Sequence, residues 1–273
     1  VSGSDTSSRS LHAPKGQEAS ARADAAALLQ YVVGLADDAL VLGHRLSQWS
    51  GRAPMLEEDI ALSNLALDLI GQARLFYTYA GAIEGKGRDE DQLAYLRDEH
   101  AYRNVLLVEQ PNGDFAVTMV RQLLYAAFMH PYYQALAASR DVRLAEIAAK
   151  AVKEMAYHVR HAAEWVIRLG DGTDESHGRA AAALEELWAY TGELFEMPDG
   201  ERALGAAGIA VDRQAIRPKW DATISSVLAQ ATLQRPPDRW MHSGGRTGRH
   251  SEHLGPMLAE MQVLHRAHPG VTW

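Results

Sequence analysis

The chain has 273 residues, no cysteine, twelve histidines and a formal net charge of −8. Without thiols there is no disulfide framework, no Cys-type zinc site, no Cys-ligated iron–sulfur cluster and no cysteine nucleophile, so any metal would need His and carboxylate ligands. The acidic balance argues against a general nucleic-acid binder, because phosphate backbones are held by clustered Lys and Arg.

No uninterrupted apolar run approaches the roughly 18 residues of a membrane span. Residues 1–22 are small and polar and lack the apolar centre of a secretory signal, so they read as a disordered tail on a cytoplasmic protein. Residues 23–273 read as a single domain.

Prolines are absent from 55–110 and 132–197, and both spans are rich in Ala and Leu. That composition reads as helix, with strand signals almost absent. The first helix is expected from about Ala23 to Trp49, with Leu28, Val32, Leu35, Ala39, Leu42 and Leu46 at three- and four-residue spacing. Pro54 is expected to open the second, with Glu57, Glu58 and Asp59 at the positive end of its dipole, and to run to about Ala80. A shorter helix is expected from Asp91 to Val108.

Asp114 is placed to cap a helix from Phe115 to about Ser139, which Pro131 should bend or interrupt. Asp141 can cap the next, about 142–169. Further helices are expected near 175–195, 215–234 and 252–267. Four long helices with short links imply an all-α bundle with additional shorter C-terminal helices.

A long-helix bundle without cysteine raises the question of a carboxylate-bridged di-metal centre. Such a centre takes Glu-x-x-His pairs from two helices, since that spacing puts both ligands on one face. None of the twelve histidines follows a glutamate by three residues; the one acidic match, Asp174/His177, lies beside the Gly170-Asp171-Gly172 turn.

Polar stripes remain, at Asn64, Asp68 and Gln72 and at Glu154, His158 and His161. They read as an altered metal site or as a hydrogen-bonded seam. His158/His161, His250/His253 and His265/His268 share i, i+3 spacing, weak as a metal signal without a carboxylate; Glu252 lies inside the second pair. Neither a GxSxG nor a phosphate-loop motif occurs. The stretch Ser243-Gly244-Gly245-Arg246-Thr247-Gly248-Arg249-His250 could bind phosphate through its amides or be an ordinary loop.

Five separated segments carry a resemblance: LVLGHRLSQWSGRAP, NLALDLIGQARLFYTYA, LLVEQPNGDFA, KEMAYHVRHAAEWVIRLGDGTDES and HSEHLGPMLAEMQVLHRAHPGVTW. In this order, from about Ala25 to Trp273, the chain resembles the C-subunit family of bacterial phenylacetyl-CoA epoxidases. The resemblance implies a ferritin-like helical protein in an NADPH- and O2-dependent monooxygenase of phenylacetate breakdown. It also implies the partners: a catalytic A subunit with the di-iron site, a B subunit, a small D protein, and a reductase E with FAD and an iron–sulfur centre.

Carried over by resemblance, the catalytic relatives' ligand positions fall on Ala39, Leu69, Gln72, Ala126, Met155 and His158, with Asp38 and Asp68 as neighbours that could substitute. Only His158 matches the ligand set. The chain itself therefore reads as non-catalytic, with no cofactor of its own. Rim contacts to phenylacetyl-CoA held by the partner are assigned to Ala101, Tyr102, Arg103 and Asn104 and to Arg202, Ala203 and Leu204, because coenzyme A phosphates favour arginine and backbone donors. Two other readings stay open: an independent di-metal oxidase using Asp38, Asp68, Glu154 and His158, and a helical interaction protein unrelated to oxygenases.

Overall fold

The computed structural model describes residues 15–271, with side chains from residue 23. All regular elements among the described residues are helical: α1 (Lys15–Ser47), α2 (Leu56–Glu84), α3 (Glu90–Tyr95), α4 (Leu106–Glu109), α5 (Phe115–Leu136), α6 (Val142–Gly170), α7 (Asp174–Trp188), α8 (Asp199–Ala206), α9 (Arg217–Gln230) and α10 (Leu254–Ala267). The tail expected over 1–22 lies outside the described residues as far as residue 14. From Lys15 the backbone is already helical, eight residues ahead of Ala23.

Two hairpins form the frame, α1 on α2 and α5 on α6, and they meet partly through α2 and α6. Between them Leu35, Leu42, Leu65, Phe76, Leu124, Phe128 and Tyr133 are completely buried. This continuous apolar interior is what stabilises helices of such length. Residues 23–47 of α1 are long and apolar enough to cross a membrane by length and composition, but two-thirds (67%) of the 18-residue apolar stretch within them is buried inside the bundle. Helices α7 and α9 cover the second hairpin, α8 packs on α1, and α10 lies against α3.

Local chemistry sets the helix ends. Asp114 accepts from the Val117 amide (3.0 Å) and Asp141 from the Leu144 amide (3.0 Å), as their positions suggested. Pro54 does not open α2; the helix starts two residues later, with Glu57, Glu58 and Asp59 in its first turn. It closes at Gly85, whose left-handed backbone (φ 65°) lets its amide reach the Gly81 carbonyl. Helix α5 runs through Pro131 without interruption, and α7 and α9 end earlier than expected, at Trp188 and Gln230. Because α5 is buried on nearly every side, its packing holds a helix that lacks one intrahelical donor.

The largest departure is at 91–108, where a single helix was expected and two short helices, a 3-10 turn (Glu99–Ala101) and extended connections are found. Carboxylates remote in sequence capture the amides that such a helix would need. Asp37 accepts from Arg103 N (2.7 Å), Asp38 from Val105 N (2.8 Å) and Glu193 from Leu106 N (2.7 Å). Buried charge-assisted bonds of this kind outweigh the modest helical propensity of a short segment.

Candidate functional site: a polar seam and a carboxylate-bound strap

The stripes on α2 and α6 face one another across the bundle. Gln122 of α5 donates to His158 Nδ1 (3.0 Å), which leaves the His158 Nε2–H for Asp68 Oδ2 at 3.2 Å. Gln72 Nε2 donates to Glu154 Oε2 (2.9 Å) and lies 3.9 Å from the Met155 sulfur, while its carbonyl accepts from the Tyr133 hydroxyl (3.2 Å). His158 is fully buried, whereas Asp68 is 36% exposed, so the seam runs from the core to the surface.

Around these side chains Ala39, Leu69, Ala126 and Met155 are completely buried among apolar neighbours. A neutral amide, a thioether and three hydrocarbon side chains stand at five of the six positions that the resemblance maps as ligands. Among the described residues no group of three or more His, Asp or Glu is arranged to hold a metal ion. The donor set fits a hydrogen-bonded seam and does not fit a di-metal centre.

Asp38 does not join the seam. Its carboxylate accepts from Val105 N and from Arg246 Nη2 (2.6 Å), and burial raises its pKa even though Arg246 and the amide oppose the shift. The histidine pairs likewise separate: His161 bonds Glu58 (2.8 Å) while His158 bonds Asp68, and His265 stacks on Tyr95. His250 turns away from Glu252 to bond the Glu109 carboxylate (2.8 Å) and the Tyr102 carbonyl (3.1 Å). Burial pulls the His250 imidazole down, but Glu109 and the Tyr102 carbonyl override it and leave its pKa above the ordinary value.

The glycine- and arginine-rich stretch 243–250 does cradle an anion, and that anion belongs to this chain. Glu193 Oε1 accepts from the amides of Gly244 (3.0 Å), Gly245 (2.7 Å) and Arg246 (3.4 Å), while Oε2 holds Leu106 N. Burial pushes the Glu193 carboxyl above the usual range, with the amides and Arg246 opposing. Arg246 then crosses α1, donating from Nη1 to the Gly34 carbonyl (2.9 Å) and the Arg103 carbonyl (2.8 Å) and from Nη2 to Asp38. A Cβ at Gly34 would lie 2.9 Å from Arg246 Nη1, so any larger residue there would make the guanidinium shift. The stretch is a strap that ties α1, the 96–106 segment and the α7–α8 connection together.

Beside the strap, Asp37 pairs with Arg97 in the interior. Its carboxylate also accepts from the Tyr77 hydroxyl and the Arg103 amide. No local spacing pointed to Asp37, Glu109 or Glu193; a carboxylate within an otherwise apolar stretch was the one available signal.

Of the expected rim residues, Tyr102 and Asn104 are buried and bond inward, the first to the Ala94 carbonyl and the second to Glu109 (2.8 Å), and Leu204 packs in the core. Ala101, Arg202 and Ala203 are exposed and Arg103 is half-buried. Arg103 borders a cavity of about 320 Å³ and Arg202 a separate open groove, with α8 contributing to both.

Fold and interior together define an all-helical, two-hairpin bundle whose central polar residues bond to one another instead of gathering into a ligand cluster. The chain matches the family model of phenylacetic acid catabolic proteins over residues 12–273, and it belongs to that ferritin-like family. It is 48% identical over 246 residues to the C subunit of the 1,2-phenylacetyl-CoA epoxidase of Escherichia coli K12, an alignment covering 90% of this chain and 99% of the relative.

Proposed function

We propose that this chain is a non-catalytic structural subunit of a phenylacetyl-CoA epoxidase complex, acting in the cytoplasm in aerobic phenylacetate catabolism. Its likeness to the C subunit of such an epoxidase, over nearly the whole of both chains, supports the complex. The observation that supports the non-catalytic role is the seam, where Gln72 bonds Glu154 and Tyr133, while Leu69, Ala39, Ala126 and Met155, positions that the resemblance maps as ligands, are fully buried and bring no charged donor.

In this reading the catalytic A subunit holds the di-iron centre and phenylacetyl-CoA, a B subunit joins them, and the D protein and the flavin and iron–sulfur reductase E complete electron delivery. The chain supplies a rigid partner bundle. Buried pairs such as Asp37–Arg97 and Asp38–Arg246 fix its helices, so a surface docked on the A subunit keeps its shape through turnover.

Reconstitution tests the proposal. The purified chain should contain far less than one iron per molecule and be inactive with phenylacetyl-CoA and a reductant. Co-expressed with an A-type subunit, it should co-elute as a hetero-oligomer and raise the partner's coupled activity. Two tightly held irons in the isolated chain, with epoxidation by that chain, would establish the di-metal oxidase reading instead. Failure to associate with the A-type subunit would leave a helical interaction protein.

A further inference from the structure

A cavity of about 320 Å³ lies where α1, the 96–106 segment, the start of α8 and the strap converge. Its volume is at the lower end of ligand-sized pockets. The cavity exists because its floor is built of small residues: Ala26, Ala27, Gly34, Pro198 and Gly200. A Cβ on Gly200 would sit 3.1 Å from that of Ala27.

Three arginines line this apolar floor. Arg213 is paired with Glu201, and Arg246 with Asp38. Arg103 has no carboxylate partner among the described residues. Its Nη1 donates to the carbonyls of His100 (2.7 Å) and Tyr102 (2.6 Å) and its Nε to Gln30 (3.1 Å), while its Nη2 makes no hydrogen bond among the described residues. Burial lowers the Arg103 pKa, Asp37 only partly offsetting it, so the guanidinium gains from an anion brought beside it. Arg246 is nine-tenths buried, and its Nε is a buried donor with no acceptor. A fixed, half-desolvated guanidinium with a free edge, over a small hydrocarbon floor, selects for one negative charge on a compact apolar body.

We propose that this cavity is a binding site for a small monocarboxylate with a single-ring or similarly compact apolar body. The carboxylate pairs with Arg103 and the body rests on Ala26, Ala27 and Gly200. With Arg213 and Arg246 each paired to a carboxylate, Arg103 brings a single uncompensated positive charge to the cavity, which suits a monoanion better than a polyanion, and the volume suits a free acid better than a coenzyme A ester. Every residue that lines the site belongs to this chain, and none of them belongs to the seam.

The test is calorimetric titration of the full chain with phenylacetate. 2-Phenylethanol serves as the uncharged analogue, inorganic phosphate as an anion without the apolar body, and coenzyme A as a bulky polyanion. Expected is one phenylacetate per chain, with 2-phenylethanol weaker by about tenfold or more, as one charge-assisted interaction lost implies, and phosphate weaker by about tenfold or more because it buries no apolar body. Arg103→Gln should weaken phenylacetate by a similar factor. Ala27→Leu, which fills the floor without touching the arginines, should abolish binding while leaving the circular dichroism spectrum unchanged. Equal binding of 2-phenylethanol, equal or tighter binding of phosphate or coenzyme A, unaltered affinity in Ala27→Leu, or no phenylacetate binding would each overturn the assignment.

Discussion

Glu193 is the side chain on which the strap closes, and its removal has a size that follows from its bonds. Three backbone donors lie within 3.0 Å of its carboxylate, Leu106 N on one oxygen and Gly244 N and Gly245 N on the other; Arg246 N, at 3.4 Å, is marginal. A buried donor left unpaired costs about 1–3 kcal/mol. Glu193→Ala strands all three, and water entering the vacated space recovers part, so the expected loss is about 3–5 kcal/mol. Glu193→Gln keeps an acceptor for the glycine amides but sets an NH2 against Leu106 N. Since it also sheds a buried charge, its expected loss is smaller, about 1–2 kcal/mol. Urea unfolding followed by fluorescence of the six tryptophans would give both values from the midpoint shift at constant m. Where the strap opens separately, the same energy appears as faster hydrogen exchange at Gly244 and Gly245. Stability and exchange both within about 1 kcal/mol of the parent in Glu193→Ala, or a larger loss in Gln than in Ala, would refute the carboxylate's role.

Asp37→Asn should destabilise by about 3–5 kcal/mol, because it leaves the buried Arg97 guanidinium uncompensated; in a double-mutant cycle with Arg97→Met the losses should fall well short of additive. His250, with its pKa raised above 6.5, contributes stability that is fully present below about pH 6.5 and is lost as pH rises through the higher folded value. Denaturation midpoints measured from pH 5.5 to 8.5 should therefore decline less in His250→Gln than in the parent. Gly245→Ala would put a Cβ 2.1 Å from the Asn104 carbonyl and should lower stability by about 1–3 kcal/mol, read from the thermal midpoint.

The four long helices were legible because apolar spacing and caps are local properties. Asp114 and Asp141 stand one residue before the helices they begin, and both bond as their positions suggested. The 91–108 segment was not legible, because what decides it is the capture of the amides of 103, 105 and 106 by side chains some 66 to 87 residues away in the chain. Of the seam, Asp68, Gln72, Glu154 and His158 were visible as stripes, while Gln122 and Tyr133, which satisfy them, were hidden on an almost wholly apolar helix. The strap's amides suggested an anion site. That the anion is Glu193 depends on tertiary placement, which no spacing within 243–250 encodes.

The reach of the strap also sets a schedule for synthesis. Asp38 and Arg246 are separated by 208 residues, so at roughly 5–20 residues per second the arginine leaves the ribosome about 10 to 40 seconds after the aspartate it neutralises. Helix α1 must wait through that interval with an unpaired carboxylate on an apolar helix, whereas Arg97 can reach Asp37 after only 60 residues. A nascent chain halted before residue 246 therefore carries a first hairpin that is complete in sequence and still short of one charge. Its final docking waits on a residue made long after the hairpin itself.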